Sequence, residues 1–133
     1  MNKINQINTA LEQLFELGNT DIVERVFSEN YIAHHGDKKN SGQDFIKKFT
    51  KQLRKALPDL KIIKVEFLSQ TNNLITWQRS FSGTHTAAMR SIPPSHKKIR
   101  WHEIVVSRFE DDKIAEEWLV SDLAFQMMLK QGR

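Results

Sequence analysis

The sequence predicts an α+β domain, helices first and an antiparallel sheet after them. Three observations carry this expectation. Apolar residues recur at three- and four-residue spacings in Ile4, Ile7, Leu11, Leu14 and Phe15, and again in Phe45, Phe49, Leu53 and Ala56, with Ile46 and Leu57 alongside. Beyond Pro58 the period falls to two: Ile63, Val65 and Phe67 alternate with Ile62, Lys64 and Glu66, then Ile75, Trp77, Arg79 and Phe81 with Thr76, Gln78 and Ser80. Asn72-Asn73, Pro93-Pro94 and Glu110-Asp111-Asp112-Lys113 punctuate this second half as turns or loops. Helices followed by a run of strands argue for a sheet curled over its helices.

Taken in order, the first stripe predicts a helix from Lys3 to Leu17, stopped by Gly18. Asp21-Ile22-Val23-Glu24 has the spacing of a capping box, which would start a short second helix ending near Phe27. Tyr31-Ile32-Ala33-His34-His35-Gly36 is rich in β-formers and closed by glycine, so a short extended segment entering a loop is expected. Ser41-Gly42-Gln43-Asp44 is a second capping-box pattern, opening a helix that Pro58 must end. Arg90 to Lys98 reads as a loop, Ile99 to Phe109 and Ile114 to Asp122 as a last hairpin, and Leu123 to Leu129 as a short helical tail.

At 133 residues the chain fits one domain, residues 1–133, large enough for a core and a pocket. It has no cysteine, so neither a disulfide framework nor a thiolate nucleophile enters the argument. Met1 to Ala10 alternates polar and apolar residues unlike a signal peptide, and no run reaches membrane-spanning length; the expected address is the cytoplasm, with no membrane partner. The net charge of +4 is unevenly placed. Lys38 to Lys64 holds nine Lys or Arg against Asp44 and Asp59, whereas Glu110 to Asp122 holds six acids against Lys113. Lys47, Lys48, Lys51, Arg54 and Lys55 fall on one helix face, and a solvated face is a better reading of them than a nucleic-acid surface, since no glycine-rich phosphate loop or aromatic-basic pattern accompanies them.

The stretch from Lys113 to Asp122 offers the first chemical candidate. By strand alternation Ile114, Glu116, Trp118, Val120 and Asp122 share a face, and that face is the apolar one. If it lines an interior, Asp122 is a carboxylate in an apolar place, where desolvation raises the pKa and suits it to proton transfer. The competing reading is a solvated strand-end Asp capping the helix that begins near Leu123.

Several words of the chain are more particular: Tyr31-Ile32-Ala33-His34, Leu57-Pro58-Asp59-Leu60, Ser82-Gly83-Thr84-His85-Thr86, Ile92-Pro93-Pro94 with Lys97-Lys98-Ile99, and Lys113-Ile114-Ala115-Glu116-Glu117-Trp118 with Asp122. Together and in this order they resemble the SnoaL-like polyketide cyclase family, also called ester cyclases, of the NTF2-like superfamily that includes ketosteroid isomerase. The resemblance spans about Leu11 to Gly132. It implies a cone in which N-terminal helices pack in a curved antiparallel sheet around a deep pocket. It also implies cofactor-free acid/base closure of a ring by an intramolecular aldol reaction, a lyase or isomerase type of chemistry. The ligand would be a small apolar or aromatic carbonyl compound, and Asp122 the general acid/base. The chain departs from the family pattern at Ala87, at Ser95-His96 and at Asp111-Asp112, all in loops. A binding protein without catalysis and a ketosteroid-isomerase-like isomerase are the alternatives.

Around Asp122 the resemblance gathers further candidates. His85 and His102 lie on expected pocket-wall strands, where a neutral imidazole could orient the acid or bond a substrate carbonyl. His34 stands at the expected pocket rim. Trp77 and Trp118 could stack on a planar ligand, and Trp118 and Glu116 share the face of Asp122. Arg79 needs a partner if buried; pairing with Glu103 or Glu116 is preferred to anchoring a ligand carboxylate. Adjacent His34 and His35 point oppositely from an extended chain, and no metal-ligating spacing is present, so no metal is expected. Ile62, Leu68, Val105 and Leu119 include residues on opposite strand faces, more than one inner core requires, which predicts a homodimer through the sheet.

Overall fold

The computed structural model of the chain describes residues 2–132. The first apolar stripe forms helix α1 (Lys3–Ala10), where the Asn2 side chain accepts the Asn5 N–H at 2.8 Å. The helix does not continue uniformly to Leu17. It widens into a π-helical stretch, Leu11–Glu16, that still buries Leu11, Leu14 and Phe15. Gly18, at φ 70°, ends it, and a Cβ there would lie 2.7 Å from Arg54 Nε. That close approach has a purpose: Arg54 donates to the carbonyls of Phe15 and Glu16, which the helix end leaves without intrahelical partners.

A 3₁₀ turn (Thr20–Ile22) and helix α2 (Val23–Val26) follow. Asn19 provides the cap in place of Asp21, accepting the Asp21 N–H at 3.1 Å, and Glu24 pairs with Lys47 rather than reaching back. Strand β1 (Phe27–His35) is longer than the sequence predicts, and β2 (Lys38–Ser41) was expected as loop. The polar β2 has no apolar alternation; its antiparallel pairing with β1 makes it a strand. It takes up Ser41, so the second capping box does not form, and α3 (Gln43–Ala56) starts from Gly42 at φ 93°. The helix ends before Pro58, as expected.

Strands β3 (Lys61–Gln70), β4 (Leu74–Thr84), β5 (Lys98–Glu110) and β6 (Lys113–Ser121) and helix α4 (Leu123–Leu129) complete the chain. The sheet order is β2-β1-β6-β5-β4-β3. Its pairs are antiparallel except β1 with β6, which run parallel. The α+β arrangement expected from the sequence is therefore present, with the first strand joined beside the last. Ile7, Leu11, Leu14 and Phe15 from the N-terminal helix meet Ile46, Leu53 and Ala56 of α3 and Ile75, Trp77, Phe81, Trp101 and Val105 of the sheet in one core. At one end of the sheet two words of the sequence touch. Asp59 accepts the backbone N–H of Thr84 at 2.6 Å and its hydroxyl at 2.7 Å, and a Cβ on Gly83 would lie 2.9 Å from Leu57.

One irregularity determines which residues can reach the interior. Strand β5 alternates without a break, turning Ile99, Trp101, Glu103, Val105, Ser107 and Phe109 inward. On β6, Ile114 pairs with Phe109 but Glu116 pairs with Arg108, so Ala115 is an extra residue and the strand bulges there. Ile114 and Ala115 are consequently both buried. Past the bulge the alternation is reversed: Glu117 and Leu119 border the interior, while Glu116, Trp118 and Val120 take the outer face, Val120 with 72% exposure. Val105 and Leu119, taken from the sequence as surplus to the core, pack within it, as does Ile62; among those four Leu68 is exposed. The exposed apolar residues of neighbouring outer positions are Ile104, Trp118 and Val120.

Candidate active site

Between the helices and the concave side of the sheet lies a cavity of about 480 Å³. Its walls are apolar and aromatic, from Leu14 and Phe15 on the N-terminal helix, Phe45 and Phe49 on α3 and Trp77 on β4. Its functional groups come from the sheet. Glu117 borders the cavity just past the β6 bulge, and Tyr31 of β1 donates its hydroxyl to Glu117 Oε1 at 2.8 Å. Ser107 of β5, opposite Glu117 in register, donates to Oε2. The Ser107 hydroxyl is held for that task, since it also accepts the indole N–H of Trp77 at 2.9 Å.

Each carboxylate oxygen of Glu117 thus has a donor, which favours the charged form. Burial opposes this more strongly and pushes the Glu117 carboxyl above the usual glutamate range, with Glu103 adding to the rise and Arg79 resisting it. Burial, reinforced by Glu117, pushes the Tyr31 phenol well above its ordinary value, so it stays a donor. Glu117 is held by the protein and borders the cavity. A carboxyl whose proton affinity is raised in such an apolar place is suited to take and return a proton.

Arg79 lines the cavity as well, and its partner is one of the two the sequence offers. Its Nε and Nη2 each lie 2.7 Å from Glu103 Oε1. Glu103 Oε2 accepts from Ser121 Oγ at 2.7 Å and from the Trp101 indole at 3.2 Å, so this buried carboxylate is fully engaged. The guanidinium also sits 5.1 to 5.3 Å from the ring centres of Phe15, Trp77 and Phe81. Of the pair only Arg79 reaches the cavity, and Glu103 fixes it from behind.

The structure does not gather the sequence-predicted set into one cavity. Trp77 and Arg79 line it. Asp122 does not: one carboxylate oxygen accepts the His102 backbone N–H at 2.7 Å and the other the Gln126 side chain at 3.2 Å, in a groove that also holds Lys64, Arg100 and Ile104. His102 is exposed beside it. Trp118 and Glu116 were expected on the pocket face and lie outside because of the bulge. There Trp118 stacks on His34 with ring centres 5.1 Å apart, and Glu116 binds His34 Nε2 at 2.6 Å and Arg108 Nε at 3.0 Å. Those donors, His34 first, hold the Glu116 carboxyl below the usual range. His34 borders the cavity mouth, but its imidazole is committed to that outer cluster.

His85 is fully buried, away from the cavity, with neither ring nitrogen in a hydrogen bond of good geometry. Burial lowers its pKa and keeps it neutral. Sequence reasoning missed Glu117, Tyr31 and Ser107. The one available signal was the apolar pair Ile114-Ala115, which breaks the period of two and marks where a bulge can sit. Among the described residues no group of three or more His, Asp and Glu is placed to hold a metal ion, and no helix is long and apolar enough to cross a membrane.

The whole arrangement has close relatives in shape. A provisionally assigned SnoaL-like polyketide cyclase from Jannaschia Sp. CCS1 superposes with a TM-score of 0.86 at 14% identity, over 98% of this chain and 92% of its own. IdmH from Streptomyces antibioticus, provisionally assigned as a polyketide cyclase, gives 0.79 at 20% identity over 100% of both chains. AclR from Streptomyces galilaeus, provisionally assigned as a hydroxylase, gives 0.80 at 18% identity over 98% of this chain and 97% of its own. At such identities these likenesses carry the cone fold and not the reaction. Curated proteins offer no match to the sequence. The family model for SnoaL-like polyketide cyclases matches residues 5–129, nearly the whole chain including every element of the cavity, and the chain belongs to that family.

Proposed function

We propose that the chain is a cofactor-independent acid/base enzyme of the cyclase type, acting on a small apolar or aromatic carbonyl compound held in the cavity, with Glu117 as the group that moves the proton. The observation that carries this reading is the Glu117 carboxyl itself, raised in proton affinity, bordering an apolar cavity and held by the Tyr31 and Ser107 hydroxyls. In the proposed step the Glu117 carboxylate removes a proton from the carbon next to a substrate carbonyl, breaking that C–H bond and leaving an enolate. The enolate carbon bonds to a second carbonyl carbon of the same molecule, closing the ring. The oxygen of that second carbonyl, now an alkoxide, takes the proton back from Glu117, so no proton or electron is gained or lost. The positive Arg79, although paired with Glu103, lies on the same cavity wall and favours the anionic intermediate.

The Asp122 carboxylate keeps a different place in this reading, as a partner of the β5 backbone. The test is a pair of substitutions. On a carbonyl substrate identified by turnover screening of the wild-type chain, Glu117→Gln is expected to lower kcat by roughly 10²–10⁴ while ligand binding persists. Asp122→Asn is expected to keep most activity. A Glu117→Gln enzyme as fast as wild type, or an Asp122→Asn enzyme that is inactive though folded, would remove Glu117 from the role; binding with no turnover of any carbonyl compound would make the protein a carrier.

A further inference from the structure

The cavity changes character from floor to mouth. At the floor, Glu117 is held by hydroxyls and Glu103 already neutralises Arg79. Around the mouth stand Lys38 at the start of β2, Lys48 on α3 and Arg90 in the loop after β4, all bordering the same space. Among the described residues none of these three has an acidic partner; elsewhere on α3 Lys47 binds Glu24 and Arg54 binds backbone carbonyls, while the exposed Lys51 and Lys55 do not border the cavity. The Arg90 guanidinium lies 5.8 Å from the centre of the Phe49 ring, which is itself a wall of the cavity. The field of the cluster reaches inward, because Arg90 and Lys38 add to burial in lowering the pKa of His35 on the cavity lining.

A second observation is independent of charge: the walls of the cavity are aromatic, from Phe45 and Phe49 of α3 and Trp77 of β4, and suit a flat apolar body. Three like charges around one apolar opening repel each other, and a ligand anion between them would relieve that repulsion.

We propose that the cavity takes an amphipathic organic acid, with its apolar body between the aromatic walls and its anionic group at the mouth on Lys38, Lys48 and Arg90. The opposite orientation would bring the anion against Glu117, where the neighbouring cation, Arg79, is already paired with Glu103. This inference rests on the proposed function for the placing of the reacting carbonyl toward Glu117, and it adds the class of substrate.

The test measures binding, not turnover. Titration calorimetry of the wild-type chain would compare 2-naphthylacetate, its methyl ester and 2-naphthyl phosphate. The acid is expected to bind roughly tenfold tighter than the ester, the scale of two or three partly screened charge pairs, and the difference should shrink between about 20 mM and about 500 mM salt. The combined Lys38→Met, Lys48→Met and Arg90→Met variant, its fold checked by circular dichroism, should bind the acid no better than the ester while holding the ester as before. If the phosphate shows the charge-dependent gain and the carboxylate shares it, the anion site is general; if phosphate alone shows it, the inference holds with phosphate as the group. Equal binding of acid, phosphate and ester, a preference that survives the triple substitution, or no binding of any of the three at millimolar concentration would overturn it. Those results leave the Glu117 substitution test untouched, just as an active Glu117→Gln enzyme would leave the charge preference standing.

Discussion

Tyr31→Phe isolates what holds the Glu117 carboxyl. The substitution keeps the ring that packs edge-on against Phe27 at 5.2 Å and removes only the hydroxyl 2.8 Å from Glu117 Oε1. A hydrogen bond to a charged group is worth about 1.5–3 kcal/mol and favours the charged form, so losing this donor should raise the Glu117 pKa further. The folded protein already holds this proton to a higher pH than the unfolded chain, whose glutamate titrates near 4.5. The stability contributed by the protonated form is therefore complete below pH 4.5 and lost as pH rises through the folded value. In the variant that loss extends to higher pH, so the gap in stability from wild type should be larger at pH 8 than at pH 5, by about 1–2 kcal/mol of urea-unfolding free energy. Carbon-13 NMR of labelled glutamate carboxyls would follow Glu117 directly, and the acidic limb of the rate profile should move with it. An unchanged titration in Tyr31→Phe would refute the claim that this hydroxyl bonds the charged form.

Other expectations follow from the same network and from its surroundings. Ser107→Ala should also move the Glu117 titration upward, and it should in addition free the Trp77 indole, seen as a change in tryptophan emission. Thr50→Val, which removes an unpaired buried hydroxyl at nearly constant shape, should raise the urea-unfolding free energy of the ligand-free protein by about 1 kcal/mol; a drop would mean that the hydroxyl has a partner. Gly83→Ala should cost about 1–3 kcal/mol, because its Cβ would stand 2.9 Å from Leu57, and thermal unfolding measures it. Pairing of two copies is proposed on the outer sheet face, where Ile104 faces Val120 in register and Trp118 stands beside them. Light scattering should then give about twice 15.6 kDa, with Val120→Lys returning the single-chain mass; a wild-type monomer at micromolar concentration would refute the pairing.

The sequence makes the fold legible where one rule acts alone. Period 3.6 in Phe45, Phe49 and Leu53, and an unbroken period of two from Ile99 to Phe109, are each enforced by the same core, so pattern and packing agree. The caps were less legible, because Asn19 and Asp21 compete for one helix start and Glu24 has a better partner in Lys47 than in its own backbone. Strand β2 was not legible at all, since polar residues become a strand there only by pairing with β1.

The candidates of β6 and its end are placed differently from the sequence reading for one reason, and it is a matter of parity. Ile114 to Asp122 counted in twos puts Trp118 and Asp122 inside; one extra residue at Ala115 puts Glu117 inside instead. The alternation rule was sound on each side of the bulge and wrong across it. Strand β5 carried the corrective information all along, since Glu103, Val105 and Ser107 must face inward, and in register Ser107 opposes Glu117. The basic stretch of α3 is split by its neighbours in a similar way. Lys47 meets Glu24, Lys48 borders the cavity, Arg54 caps the first helix, and Lys51 and Lys55 are left in solvent, so a run that reads as one charged face serves four different surroundings. Charge totals could not have shown this; the neighbours of each side chain do.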